Sequence, residues 1–359
     1  MKFIDLNTQY RKIEKNIKSR IHEVLEHGMY VNGPEVTSCE KKLAEFVGVD
    51  HCVLLASGTD AIFLPLLALG IGAGDEVIVP AFSFYATSEV VNLAGATPVF
   101  CDIDPETYLM DVTQISKLIT DKTKAIMPVS LYGQCVDMSE LERFGLPIIE
   151  DGAQSFGATY KGKKSCSLTH FGGTSFFPAK PLGAYGDAGA LFTNDDAHAL
   201  AVRELKEHGS EKRYHHTRIG INGRCDSIQA AVIEEKLTIF PEEVKQRQLI
   251  AKKYHEGLEG IQVMKIAPDN TCVYAQFTIE VDEREKFREF MSSKSIPTAI
   301  HYPSPLNKQP VYEGDSFYKL NFKNAQKASD RVVSLPMHPY LDISDQEKVI
   351  RAVLEYHKI

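Results

Sequence analysis

The stretch "HCVLLASGTDAIFLPLLALG", residues 51–70, decides the architecture. "HCVLLA" (51–56) is a short apolar run rich in branched side chains, "SGTDA" (57–61) is a turn of small and polar residues, and Thr59–Leu69 carries a helical pattern. Strand, tight turn and helix in that order form the repeating unit of a sheet covered by helices. Runs of the same kind follow at "EVIVP" (76–80), "TPVFCD" (97–102), "KAIMPVS" (124–130) and "LPIIED" (146–151). Helical patterns at Tyr85–Leu93, Val112–Ile119 and Met138–Phe144 separate them. Near-continuous apolar strands alternating with helices predict a mainly parallel sheet buried on both faces. Ligands of such sheets sit beyond the carboxyl ends of the strands. "SGTDA", "AFSFYATSE" (81–89) and "EDGAQSFGA" (150–158) all stand at such ends.

Outside this block the chain opens on a helix-like segment, about Tyr10–Glu26. "DAGALFTND" (187–195) reads as a further strand, followed by helical segments at 225–237 and 242–258. A boundary near Ile239–Pro241 divides the chain into a large α/β domain, 1–240, and a smaller α+β domain, 241–359. A strand near Val273–Val281 and a helix near Glu283–Ser292 belong to the second.

With 359 residues, 43% hydrophobic and 25% charged, the composition is that of a globular protein with a large core. A net charge of -8 provides no basic footprint, so no nucleic-acid partner is expected. The longest apolar run, Ala61–Gly74, is too short for a bilayer and contains Pro65, and the N-terminus lacks a signal-peptide pattern. Seven scattered cysteines without a CxxC pair point to reduced thiols. The expectation is a cytoplasmic protein with no membrane partner. Twelve histidines include no HExxH spacing, so no metal site is expected.

"TSFFPAKPLGAYGDAGALFTND" (174–195) frames Lys180 between Pro178 and Pro181 and follows it with Gly183, Gly186 and Gly189. A surface lysine needs no such stiffening. "SGTDA" offers the amides of Gly58 and Thr59 at a helix N-terminus, where the dipole favours an anion; taken alone, helix capping by Ser57 or Thr59 is the simpler reading. Asp151 at a strand end can cap the next turn or hold a positive charge on a bound heterocycle, with Gln154 as a nearby donor and Gly152 leaving space. Phe84 can be core or can stack on a flat ring. "GINGRCDSIQAA" (220–231) places Asn222 and Arg224 ahead of a helix, and "AIHYPSPLNKQP" (299–310) groups His301 and Tyr302 in a stiffened loop. Together these fit one cofactor. Pyridoxal 5′-phosphate needs an anion cradle, an acid at its pyridine nitrogen, a ring on its face and a lysine forming a Schiff base; desolvation helps that lysine shed its proton.

These motifs, in this order over essentially the whole chain, resemble the DegT/StrS family of sugar aminotransferases. Besides those quoted, "FIDLNTQY" (3–10) and "PVFCDIDPETY" (98–108) carry the resemblance. It implies a fold type I transferase with a mainly parallel seven-stranded sheet and a smaller C-terminal domain. It implies Lys180 as Schiff-base lysine and proton shuttle, Asp151 at the pyridinium nitrogen, Gln154 near the ring oxygen and Phe84 stacked on the ring. Gly58, Thr59 and Ser175 would bind the phosphate, with Asn222 reaching in from a second subunit. Arg224, His301 and Tyr302, also from that subunit, would face the substrate, so the resemblance implies a homodimer with shared sites.

Within the family, "PVSLYGQC" (128–135), "RYHHTRIGINGRCDSIQAA" (213–231), "HYPSPLNKQP" (301–310) and "SLPMHPYL" (334–341) are most similar to members acting on UDP-2-acetamido-2-deoxy-3-oxo-D-glucuronate. The implied reaction moves an amino group from L-glutamate to C3 of that sugar, with the pyridoxamine form (PMP) as the aminated cofactor, for O-antigen and related bacterial surface polysaccharide. Arg224, aided by His301, can serve the carboxylates of both glutamate and a uronate. Two other readings stand beside it: amination of a dTDP- or UDP-linked 3- or 4-keto-6-deoxy sugar, and a cofactor-binding regulator without turnover. Two departures from the family pattern are Gly152, expected to be harmless, and Pro65, expected to break a helical hydrogen bond and kink its helix.

Overall fold

The computed structural model describes residues 1–358. Nine strands are numbered here. β1 (His51–Leu55), β2 (Glu76–Pro80), β3 (Thr97–Cys101), β4 (Thr123–Ile126), β5 (Ile149–Asp151), β6 (Phe171–Ser175) and β7 (Gly189–Thr193) form the large sheet; β8 (Phe277–Glu280) and β9 (Val332–Leu335) pair further along the chain. β1-β7-β6-β5 and β3-β2-β4 are each hydrogen-bonded, and parallel bridges Ile126↔Ile148 and Val129↔Asp151 join them. The order is therefore β1-β7-β6-β5-β4-β2-β3, parallel except for β7, which runs against both β1 and β6.

The near-continuous apolar strands have the expected cause. In β1, Val53 and Leu55 enter one hydrophobic cluster while Cys52 and Leu54 enter another, so the sheet separates two cores. On one side Phe156 packs with Phe46, Phe176, Phe192 and Phe240 at ring separations of 5.4–5.9 Å. All seven cysteines are free and buried.

The helix Gly58–Ala68 passes through Pro65 without interruption. The proline cannot donate to the carbonyl of Ala61. That carbonyl faces β6 at Gly173, where a Cβ would lie 2.7 Å from the oxygen. The missing bond and the missing side chain meet, and they let the helix and the strand approach closely.

The helix Phe240–Gly257 begins within the segment Ile239–Pro241. Its second half contributes Ile250 and Tyr254 to a third cluster with β8, β9 and the helices Arg284–Ser293 and Ile343–Tyr356. Other C-terminal residues, including Met264, Val273, Leu306 and Ala325, pack instead into the large core. Among the described residues, no helix is long and apolar enough to cross a membrane.

Candidate functional site

Because β7 is antiparallel to β6, the loop 176–188 leaves and re-enters the sheet at the same edge. Its ends are closed by the Ser175–Gly189 pair and by the bond from the Phe176 amide to the Ala188 carbonyl at 2.8 Å. Lys180 sits on this loop, its amide bonded to the Phe177 carbonyl at 2.9 Å. The side chain projects into a cavity of about 470 Å³ that the carboxyl end of β5 and the start of helix Gly58–Ala68 also line.

Asp151 is buried at the end of β5. Its carboxylate accepts from the Thr87 hydroxyl at 2.9 Å and from the Ala153 amide at 3.2 Å. Burial raises its pKa, against the lowering effects of Ala153, Thr87 and the charge of Lys180. Burial likewise lowers Lys180 below its ordinary 10.5, with Asp151 opposing. The lysine thus sheds its proton more readily than a surface amine, and the acid sits across the cavity from it.

At the helix start, Ser57 Oγ accepts from the Asp60 amide at 3.0 Å. This leaves the first amides, Gly58 and Thr59, at the open end of the helix facing the cavity. Ser175 lies against them: a Cβ on Gly58 would stand 2.5 Å from Ser175 Cβ. The capping reading of "SGTDA" is met by Ser57, and the cap leaves the amides of Gly58 and Thr59 without a partner in the helix.

Gln154 is buried and fully oriented. Its oxygen accepts from the Tyr132 amide at 2.8 Å, and its nitrogen donates to the Tyr302 hydroxyl at 2.9 Å. Phe84 is exposed over the cavity, its ring 5.9 Å from that of Tyr302. Burial raises the Tyr302 hydroxyl above its usual value. His301 Nδ1 lies 2.8 Å from Ser334 Oγ on β9. Burial, and then the charge of Lys180, lower its pKa to about 4, so the imidazole is neutral at physiological pH.

His301 and Tyr302 correct one expectation. They line the same cavity as Lys180 within one chain, where a second subunit was expected to supply them. The loop that carries them folds back onto the large sheet: Leu306 donates to the Ala81 carbonyl at 2.8 Å, and Tyr132 donates to the carbonyl of His301. Asn222 and Arg224 do not line this cavity. Asn222 is exposed, and Arg224 pairs with Glu207 at 3.2 Å. Gly223 between them accepts from the Ala56 amide at 2.9 Å, which fixes the segment beside the end of β1.

A model of the DegT/DnrJ/EryC1/StrS aminotransferase family matches residues 11–354. The chain belongs to this family. It is 49% identical over 360 residues to the UDP-2-acetamido-2-deoxy-3-oxo-D-glucuronate aminotransferase of Pseudomonas aeruginosa, with 99% of each chain covered. Among solved structures, a DegT/DnrJ/EryC1/StrS aminotransferase from Brucella abortus superposes with a TM-score of 0.95 at 41% identity, covering 99% of both chains. DesV of S. venezuelae, solved in complex with a ketimine intermediate, superposes with a TM-score of 0.96 at 36% identity, covering 99% of this chain and 98% of its own. The fold type I expectation is thereby met, down to the seven-stranded sheet.

In this DegT/DnrJ/EryC1/StrS member, several site-forming residues escaped the reading of the sequence. Thr87 and Ser83, whose hydroxyls lie 3.1 Å apart, support Asp151 from within "AFSFYATSE". Phe3 and Ile4, from "FIDLNTQY", form part of the cavity wall. Gly152 also behaves differently: no space is left beside it, because a Cβ there would lie 2.6 Å from Cys166 Sγ. Gly152→Ala is expected to destabilise the protein by about 1–3 kcal/mol through overpacking. Adding Cys166→Ala should recover part of the loss, measured as non-additivity in denaturant titrations. Strictly additive losses would rule out that contact as the cause.

Proposed function

We propose that this chain is a pyridoxal-5′-phosphate-dependent aminotransferase that moves the amino group of L-glutamate to C3 of UDP-2-acetamido-2-deoxy-3-oxo-D-glucuronate, for bacterial surface polysaccharide (O-antigen) synthesis. The observation that carries the reading is the pairing of a desolvated lysine, Lys180, with a buried acid, Asp151, in one cavity that a helix N-terminus also opens onto. The donor set suits a phosphorylated pyridine: anion-binding amides at Gly58 and Thr59 with Ser175, an acid within the wall and an aromatic face at Phe84. A solved relative at 30% identity, from Bacillus subtilis, holds PMP as bound cofactor. When bound, the cofactor supplies the electron sink for the carbon that loses or gains the amino group.

The chain's own residues then have separate tasks. Lys180 Nζ would hold the cofactor covalently and would be the base that carries the proton moved during amino transfer, on the side of the cavity it lines. Asp151, held by Thr87 and Ala153, would keep the ring nitrogen protonated. Gln154 orients Tyr302 and would donate to the cofactor's ring oxygen, while Phe84 would cover the ring. His301, neutral and anchored on Ser334, faces the substrate beside Tyr302.

The working unit in this reading is a cytoplasmic homodimer in which Asn222 reaches the phosphate and Arg224 the substrate of the neighbouring site. Their position on the surface beside Ala56, outside their own cavity, supports that arrangement. Each chain is read as two domains, 1–240 and 241–359, a division supported by the third hydrophobic cluster, which draws all its buried residues from the second.

Arg224→Ala is expected to slow both half-reactions about 10- to 100-fold, the worth of a charge-assisted pair at about 1.5–3 kcal/mol. If glutamate alone still reduced the cofactor at the normal rate, a shared carboxylate site would be excluded. Co-expression of Arg224→Ala with Lys180→Ala chains should restore part of the activity, since one site of a mixed dimer keeps both residues. No restoration would argue against sharing. Substrate choice is tested by offering glutamate with UDP-linked uronate and dTDP-linked 6-deoxy keto sugars and reading products by mass spectrometry. The 36% identity to a dTDP-3-amino-3,4,6-trideoxy-alpha-D-glucose transaminase of Streptomyces venezuelae keeps the second sugar class in the test. Amination of the 6-deoxy sugars alone would replace the proposed substrate.

A further inference from the structure

The loop carrying Lys180 is held from behind by the helix Ser227–Leu237, whose sequence begins in "CDSIQAA". Lys236 on this helix is completely buried. Its Nζ donates to the Gly183 carbonyl at 2.6 Å and lies 4.4 Å from the centre of the Tyr185 ring. Two turns earlier, Gln229 Oε1 accepts from the Tyr185 amide at 2.9 Å. Its amide also fills the space beside Gly186, where a Cβ would come within 2.9 Å of Nε2. Gly183 in turn lies so close to the Pro178 carbonyl that a Cβ would stand 2.5 Å from it. Both sides of Lys180 are thus pressed together, and the returning side is pinned at two backbone groups.

A lysine is an expensive choice for a position that an apolar side chain could fill. Among the described residues it makes no ion pair within 4.0 Å, and its hydrogen bond goes to the loop. Burial lowers its pKa to about 8, opposed by Glu243 on the helix Phe240–Gly257. The other titratable groups on this side are Tyr185 in the loop and Tyr10 on the helix Leu6–His27, whose rings are 6.3 Å apart.

We propose that Lys236 and Gln229 are positioning residues for Lys180, clamping the Gly183–Tyr185 backbone so that the nucleophilic nitrogen is held at one place in the cavity. This rests on Lys180 being the point of cofactor attachment. A misplacement on the order of 1 Å in a positioned group costs about 10²-fold in rate, so loss of one of two clamps is expected to cost about tenfold.

The test mixes cofactor-free protein with pyridoxal 5′-phosphate and follows the rise of visible absorbance, together with the pH midpoint of that absorbance in the loaded protein. Lys236→Met is expected to slow capture about tenfold and move the midpoint, with kcat falling while KM for glutamate stays within about twofold. Lys236→Arg should return capture toward the wild-type rate. A Met variant that captures at the wild-type rate with an unmoved midpoint overturns the proposal, as does an Arg variant no faster than the Met variant. Should Lys236→Met fail to fold by circular dichroism, Gln229→Leu decides: slowed capture supports the clamp and a wild-type rate overturns it. Lys180→Ala run alongside distinguishes the two failures: visible absorbance persisting in that variant would overturn the attachment point and the proposal with it, whereas its loss there beside a wild-type rate in Lys236→Met overturns the clamp alone.

Discussion

Lys180→Ala protein is expected to fold, bind pyridoxal 5′-phosphate without the visible absorbance of the covalently held form, and lose turnover by at least about 10⁴-fold. Folding survives because the loop is held by backbone bonds at Phe176, Lys180 and Ala184 and not by the lysine's amine. The residues proposed to bind the phosphate remain, since Gly58, Thr59 and Ser175 line the cavity independently of that side chain. What disappears is one nitrogen that serves both as nucleophile and as proton carrier. Persistence of the visible band together with measurable turnover would refute the assignment.

The same side chain sets a pH dependence. Its folded pKa lies below 10.5 because burial disfavours the ammonium. Only the neutral amine attacks, so the capture rate of wild-type protein should rise with pH through a midpoint below 10.5 and level off above it. A midpoint at or above the ordinary lysine value would contradict the desolvated site.

Asp151→Asn should slow turnover by about 10²- to 10³-fold while leaving the cofactor attached. In the proposed complex the carboxylate and the ring nitrogen would form a buried charge pair, and removing one partner of such a pair costs about 3–5 kcal/mol. Asparagine preserves the shape and can still accept from Thr87 or Ala153. Capture should even shift to lower pH. Asp151 is the group that holds the Lys180 ammonium up against burial, so neutralising it lets the lysine deprotonate more easily. A variant with full turnover, or with its capture midpoint moved upward, would remove Asp151 from the proposed role.

The parallel half of the sheet was legible because its strands are branched and apolar and because clusters such as "SGTDA" and "EDGAQSFGA" interrupt them. "EVIVP" matches β2 residue for residue. β6 was not legible, since "FGGTS" carries two glycines where strand-forming residues are expected. Crowding explains it: a Cβ at Gly172 would meet the Cys166 backbone at 2.4 Å, and one at Gly173 would meet Ala61. The helices Pro34–Val47, Asp196–Leu205, Lys323–Arg331 and Ile343–Tyr356 were also unread. In the site, Lys180, Asp151, Gln154, Phe84 and the "SGTDA" turn were marked in advance and share one cavity. The support of Asp151 by Thr87 and the return of His301 and Tyr302 to their own chain were not. Both depend on contacts between residues far apart in sequence, which local pattern does not encode.

The antiparallel β7 has a consequence for altering this protein by design. Gly189 at its start lies so close to Ser57 that a Cβ would stand 2.2 Å from the Ser57 carbonyl, so the loop bearing Lys180 and the turn bearing Gly58 and Thr59 are interlocked. Neither can be regrafted without the other. The cavity wall formed by Phe3, Ile4, Gln276, His301 and Tyr302 comes from segments outside that interlock. A change of sugar preference is therefore best sought at the amino terminus and in the loops around residues 276 and 301, where libraries can vary side chains while the reaction chemistry is carried along intact.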